Sequence, residues 1–119
     1  MPPYAAVARV SPSSRKQVAG LHALAEQAAA ATQLLKLLAN ENRLLILCFM
    51  MVRGEMTVGE LVAAVKLSQS AISQHLAQLR KAGIVAFRRD AQMSYYRVAD
   101  RRASRVFEVL KEIYCKDIK

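Results

Sequence analysis

Between Thr57 and Gly83 two helix-start signals follow one another with only a short turn between them, and that arrangement leaves few folds open. Thr57, with Glu60 three residues on, has the form of a capping box: the hydroxyl accepts from the Glu60 amide while the carboxylate reaches back to the Thr57 amide. The box opens a short helix from Val58 to about Val65. Lys66 and Leu67 turn the chain, and Ser68 is placed to cap a second helix, Gln69 to Ala82. Gly83 suits its C-terminal end, and Arg80 and Lys81 in the last turn suit the negative end of its dipole. Two short capped helices joined by a tight turn read as a helix-turn-helix.

The flanking segments extend this unit. From about Arg15 to Ala39 alanine and leucine dominate, and Leu21, Leu24, Ala28, Ala31, Leu34, Leu35 and Leu38 fall at helical spacing. The small side chains from Ala28 to Ala31 would let another helix approach closely. Asn40 can cap a second helix that runs to about Arg53 and stops at Gly54. Its Leu44–Val52 run is apolar all round, which predicts a central core helix. After Gly83, Ile84–Arg89 and Met93–Val98 carry β-branched and aromatic residues around Asp90, Ala91 and Gln92, the pattern of a hairpin. Asn-Gly is missing there, which leaves a longer basic loop open. Asp100 can cap a last helix with the apolar stripe Val106, Phe107, Leu110, Ile113 and Tyr114. The fold class predicted is mainly α with a two-stranded β wing, a winged helix-turn-helix in the order α-α-α-α-β-β-α.

Residues 1–14 hold all three prolines, Pro2, Pro3 and Pro12, and three serines, and are expected to form a flexible arm; residues 15–119 form the domain. A chain of 119 residues has room for one domain, and one this small often shares its core with a partner. With 54% apolar residues it can bury a core. No apolar run approaches the roughly 18 residues of a membrane span, and the N-terminus lacks the positive start and apolar block of a secretory signal, so the expected location is the cytoplasm, with no membrane partner.

Net charge is +9, and it is concentrated: residues 66–119 hold twelve basic and five acidic side chains, residues 1–65 six and four. A solvated basic surface is one reading; a polyanion partner is the other. The second capped helix decides for the latter. Ala71, Ile72, Leu76 and Leu79 share one face, while Ser68, Gln69, Ser70, Ser73 and Gln74 lie mostly on the other, near the N-terminus. Recognition helices present N-terminal residues to base edges, where Gln can pair with adenine and Ser with several bases. Arg80 and Lys81 suit phosphates. Arg88, Arg89 and Gln92 on the wing suit the minor groove or the backbone. His75 either meets a phosphate or packs at the helix junction; His22 reads as a surface residue. The partner expected is double-stranded operator DNA.

Four segments resemble the ArsR/SmtB family of bacterial repressors: LKLLANENRLLIL (Leu35–Leu47), Gly59-Glu60-Leu61, SQSAISQHLAQLRKAGIV (Ser68–Val85) and Tyr95-Tyr96-Arg97-Val98. The likeness spans about residues 30–117. It implies a homodimer formed through the first and last helices, an operator that is an inverted repeat, and a location on the bacterial nucleoid when bound. The metal-sensing members place cysteines where this chain has Thr57 and Gly59. Their zinc site in the last helix would use Asp100 with the positions of Arg102, Ile113 and Lys116, of which only Asp100 is a ligand type. Zinc needs about four N, S or O ligands, so no metal and no cofactor are expected.

Cys48 and Cys115 resemble instead the cysteines of the HlyU/BigR/SqrR-type branch, one in the second helix and one near the end of the last. That resemblance implies a thiol switch: reactive sulfur species join the two through a disulfide or a longer sulfur bridge, and the repressor leaves its operator, although some relatives activate by displacing a silencer. Read from residues alone, Cys48 is equally a small core residue, whereas Cys115 near the terminus is harder to explain so. Lys116 beside Cys115 would favour its thiolate. A metal- or peroxide-responsive regulator of the same fold, or one with purely structural cysteines, stays open. An architectural DNA binder is disfavoured by the Gln/Ser face, and a thiol enzyme by the lack of Cys-x-x-Cys or a nucleophile–base pair.

Overall fold

The computed structural model describes residues 15–115 and divides into two units, residues 1–35 and 36–119. The expected arm, residues 1–14, and Lys116 lie outside the described residues. Helix α1 (Arg15–Leu38) has no proline to interrupt it; every side chain from Val18 to Gln33 is exposed, whereas Leu38 in its last turn is buried and belongs to the second unit.

In that unit α2 (Glu41–Arg53), α3 (Val58–Val65) and α4 (Gln69–Lys81) precede an antiparallel hairpin, β1 (Val85–Asp90) and β2 (Met93–Val98), and α5 (Arg101–Tyr114) closes the chain. Each helix begins where a side chain can serve its first amides. Asn40 accepts from the Arg43 amide, Ser68 from Ala71, and Asp100 from Arg102 and Ala103. Thr57 and Glu60 form the complete capping box. The α3–α4 turn is made by Lys66, whose φ of 63° lies in the left-handed region, and Gly83 (φ 79°) releases the chain from α4 into the hairpin.

One core joins these elements. Ile46, Leu47 and Met50 of α2, Leu61 of α3, Ile72, Leu76 and Leu79 of α4, and the loop residues Met56 and Ile84 are no more than 1% exposed. The i, i+4, i+7 spacing of Ile72, Leu76 and Leu79 puts all three on the inner face of α4. Hairpin register runs from Val85 opposite Val98 to Asp90 opposite Met93. Met56 makes an isolated antiparallel bridge to the hairpin: its amide donates to Tyr96 O at 2.9 Å, and the Tyr96 amide returns the bond at 2.8 Å.

Three details differ from the sequence reading. The Leu44–Val52 run does not bury all round, for Leu45 and Val52 are 41% and 59% exposed. A helix covered from one side buries one stripe, and composition does not say how many sides are covered. The stripe of α5 is buried only near its start, at Phe107; Ile113 and Tyr114 are exposed. The wing turns through two residues, Ala91 and Gln92, rather than through a longer loop, with Ala91 at φ 57°.

Candidate nucleic-acid interface

The outer face of α4 carries the polar row. Ser68, Gln69, Ser70, Ser73 and Gln74 are exposed, while Ile72, Leu76 and Leu79 face inward and Ala71 is half-buried. Ser68 is committed to the cap, its Oγ accepting from the Ala71 amide at 3.1 Å and lying 3.3 Å from Ser70 Oγ. Gln69, Ser73 and Gln74 keep their hydrogen-bonding groups free of partners among the described residues.

His75 is half-buried on the flank of α4. Burial, and then the positive charge of Arg43, hold its pKa below the usual histidine value. Its half-buried place fits the packing alternative. Arg43 ties α4 to the rest: its guanidinium donates to Leu37 O at 3.2 Å and to the Gln78 side chain.

At the far end of α4, Arg80 and Lys81 are exposed, and the Arg80 guanidinium lies 4.4 Å from the centre of the Phe87 ring on the wing. Phe87 in turn packs on Tyr96 across the hairpin, with ring centres 5.3 Å apart. Strand alternation sends Arg88 and Arg89 to opposite faces. Arg89 and Gln92 are exposed. Arg88 is held: its Nε donates to both oxygens of Glu55, at 3.1 and 2.9 Å, and its guanidinium sits over Tyr95. Arg97, exposed and on the same face as Arg88, is a basic wing residue that the sequence reading missed; its place one residue out of step with Val98 and Tyr96 in the second strand would have pointed to it.

The two cysteines are free thiols, both half-buried: Cys48 on α2, and Cys115 as the C-cap of α5, its amide donating to Lys111 O at 2.8 Å. Burial pushes the Cys48 thiol pKa up, and the charge of Cys115 pushes it further. The residues at the family's metal positions have other work. Thr57 is in the capping box, and Asp100 is a cap whose carboxylate also binds the Arg102 guanidinium at 2.7 Å.

The sequence profile described as "Bacterial regulatory protein, arsR family" matches residues 40–86, which take in α2, the helix-turn-helix and the first wing residues. "Transcriptional activator HlyU" of Vibrio cholerae is 44% identical over 96 residues, covering 81% of this chain and 88% of that protein. The chain belongs to the ArsR family of bacterial regulatory proteins. The "Biofilm growth-associated repressor" of Agrobacterium fabrum is 42% identical over 95 residues, 80% of each chain. Among solved structures, reduced HlyU from Vibrio cholerae superposes with a TM-score of 0.72 at 44% identity, covering 77% of this chain and 96% of that one. The transcriptional repressor BigR from Xylella fastidiosa gives 0.73 at 34% identity, covering 79% and 95%. This ArsR-family chain is therefore of the HlyU/BigR type, and its helices and hairpin form a winged helix-turn-helix. No helix among the described residues is long and apolar enough to cross a membrane.

Proposed function

We propose that this ArsR-family protein is a sequence-specific, cytoplasmic transcription repressor that binds an inverted-repeat operator as a homodimer and lets go when Cys48 and Cys115 are bridged. It is a regulator, not an enzyme. The observation that carries DNA binding is the exposed row Gln69, Ser70, Ser73 and Gln74 on a helix fixed from behind by Ile72, Leu76 and Leu79. A rigid helix with amide and hydroxyl groups at its N-terminal end is what major-groove reading requires. Arg80, Lys81, Arg88 and Arg89 supply charge for the backbone and wing contacts. Leu21 and Leu24 on α1, and Ile113 and Tyr114 on α5, are the exposed apolar residues that a second copy would cover.

The electrostatic coupling of Cys48 to Cys115 supports the switch. The chemistry balances as follows. One thiolate takes a sulfane sulfur from a polysulfide, releasing a shortened polysulfide and leaving a persulfide. The second thiolate attacks the inner sulfur of that persulfide and expels hydrosulfide; two thiols lose two electrons and the sulfane sulfur gains them. A disulfide needs Cα atoms within about 7 Å, so closure would tie α5 to α2. Two half-sites lie about 34 Å apart, and a shift of α5 that alters the dimer would misplace both recognition helices.

The test is fluorescence anisotropy of the reduced protein on a duplex that it selects from a randomised pool, before and after polysulfide treatment. Loss of binding that a thiol reductant restores, and that Cys48→Ser and Cys115→Ser both abolish, is the expected result. Tight binding unaffected by polysulfide in the wild type would return the cysteines to a structural role, and restoration by chelation instead of reductant would indicate a metal effector.

A further inference from the structure

The Glu55–Arg88 pair sits where a DNA-binding wing gains least from a carboxylate. Glu55 lies in the α2–α3 loop, one residue before Met56, whose backbone is paired with Tyr96. That pairing brings Glu55 beside the wing. The Arg88 Nε–H is shared between both carboxylate oxygens, and the guanidinium carbon is 4.6 Å from the centre of the Tyr95 ring, the residue directly opposite Arg88 on β2. Three elements therefore fix one guanidinium: a loop carboxylate, a cross-strand ring and its own strand. Among the described residues its two Nη groups make no hydrogen bond, and the Arg88 side chain is 51% exposed.

A negative charge at this place repels phosphate on every sequence alike. An exposed ion pair adds little to stability. What the pair does supply is orientation. An unheld arginine loses rotamer freedom on binding, whereas one whose plane is already set loses less, but gains only where acceptors meet that plane. The charge of Glu55 thus weakens binding generally, and its grip on Arg88 repays this on matching DNA alone. That combination raises discrimination rather than affinity.

We propose that Glu55 is a positioning residue for specificity: together with Tyr95 it presents the Nη edge of Arg88 to DNA in one fixed orientation. The inference rests on the DNA-binding reading and deepens it, for it turns a wing charge into a geometric reader.

The experiment measures Kd by anisotropy on the pool-selected duplex and on a random duplex of equal length, for wild type, E55Q, E55D, R88M and E55Q/R88M. Glu55 and Arg88 are at the surface, so unfolding does not cloud the result. E55Q should bind random DNA more tightly while the ratio of selected to random affinity falls by about tenfold, a loss comparable to one mismatched base pair. R88M should lower that ratio to a similar degree, and the double variant no further, because Glu55 acts through Arg88. E55D, which keeps the charge but shortens the reach, should fall between wild type and E55Q. E55Q tightening both duplexes equally would reduce Glu55 to a bare charge and overturn the proposal. So would an unchanged ratio in R88M. If the wild-type protein enriches no sequence from the pool, the DNA-reading function itself falls, and this inference with it.

Discussion

The guanidinium of Arg43 on α2 donates to the side chain of Gln78 on α4 and, through Nη1, to the carbonyl of Leu37 at 3.2 Å. One side chain thus ties the recognition helix to the chain just before α2. Its Nε is buried without a partner, which offsets part of the gain. We therefore expect Arg43→Met to lower stability by only about 1 kcal/mol, the net of two hydrogen bonds less one relieved donor, in urea denaturation. Affinity for the selected duplex should fall more than affinity for random DNA, since α4 loses its tether. Arg43→Lys should not restore it, because a single ammonium nitrogen does not replace the two guanidinium nitrogens that serve Leu37 and Gln78 separately.

Thr57 and Glu60 hold each other's backbone amides, at 3.2 Å (Glu60 N to Thr57 Oγ1) and 3.0 Å (Thr57 N to Glu60 Oε1). Thr57 is buried, so its replacement leaves the Glu60 amide poorly served. Thr57→Ala should cost about 1 kcal/mol, within the range for lost N-caps, and Thr57→Ser should recover most of it. The backbone amide of Thr57, followed by its hydroxyl contact, also keeps the Glu60 carboxyl below its ordinary pKa. The box therefore stabilises above the usual carboxylate range and weakens as pH falls through the depressed value. Thermal unfolding at neutral and acid pH checks both statements, and a Thr57→Ala midpoint equal to wild type at neutral pH would remove the cap from the account.

These caps were legible because they are local. Asn40, Thr57, Ser68 and Asp100 each act within three residues of their own position, and a sequence pattern carries that distance. The amphipathic face of α4 was legible for the same reason. Glu55–Arg88 and Arg43–Gln78 were not: their partners stand 33 and 35 positions apart, and only the packed fold brings them together. Arg88 thus read as a free wing cation when it is a held one. Leu45 and Val52 read as core because hydropathy reports that a side chain is apolar, not which side of the helix the rest of the unit occupies.

Asp100 caps the positive end of α5, and of the arginines there it binds Arg102. Its Oδ1 accepts from the Arg102 amide at 2.7 Å and the Ala103 amide at 3.3 Å, and Oδ2 binds the Arg102 guanidinium. The guanidinium bond, then the backbone amides, hold the carboxyl below its usual pKa against the opposing effect of burial. Asp100→Ala should destabilise by about 1 kcal/mol. Asp100→Asn keeps an acceptor for the amides and should cost less at neutral pH. Because the folded pKa is depressed, the charge contributes fully above the ordinary aspartate range and is lost as pH falls below about 4. Asn at this position should therefore flatten the acid limb of the stability curve, and an unchanged limb would show that Asp100 is not what titrates there.

Cys48 and Cys115 differ in setting, and the difference orders the proposed sulfur chemistry. Burial first, and the Cys115 charge second, raise the Cys48 pKa. A raised thiol pKa favours the folded state below the usual thiol range, and that contribution is lost as pH rises through the raised value. At neutral pH Cys48 is held as a thiol, the unreactive form. In the proposed switch we therefore expect Cys48 to be the slower attacker and to act as the thiol that resolves a persulfide formed on Cys115. Iodoacetamide should modify Cys48 more slowly than free cysteine at neutral pH, with its rate still rising above pH ~8.5, where free cysteine is half ionised. In Cys115→Ser the curve for Cys48 should move to lower pH yet stay above the free value, since the larger cause, burial, remains. With limiting polysulfide, Cys48→Ser should accumulate a persulfide on Cys115, seen as one added sulfur by mass spectrometry, while Cys115→Ser should react slowly and gain little. The opposite pattern, rapid persulfidation of Cys48 in the absence of Cys115, would reverse the order and require a route by which the half-buried thiol is ionised.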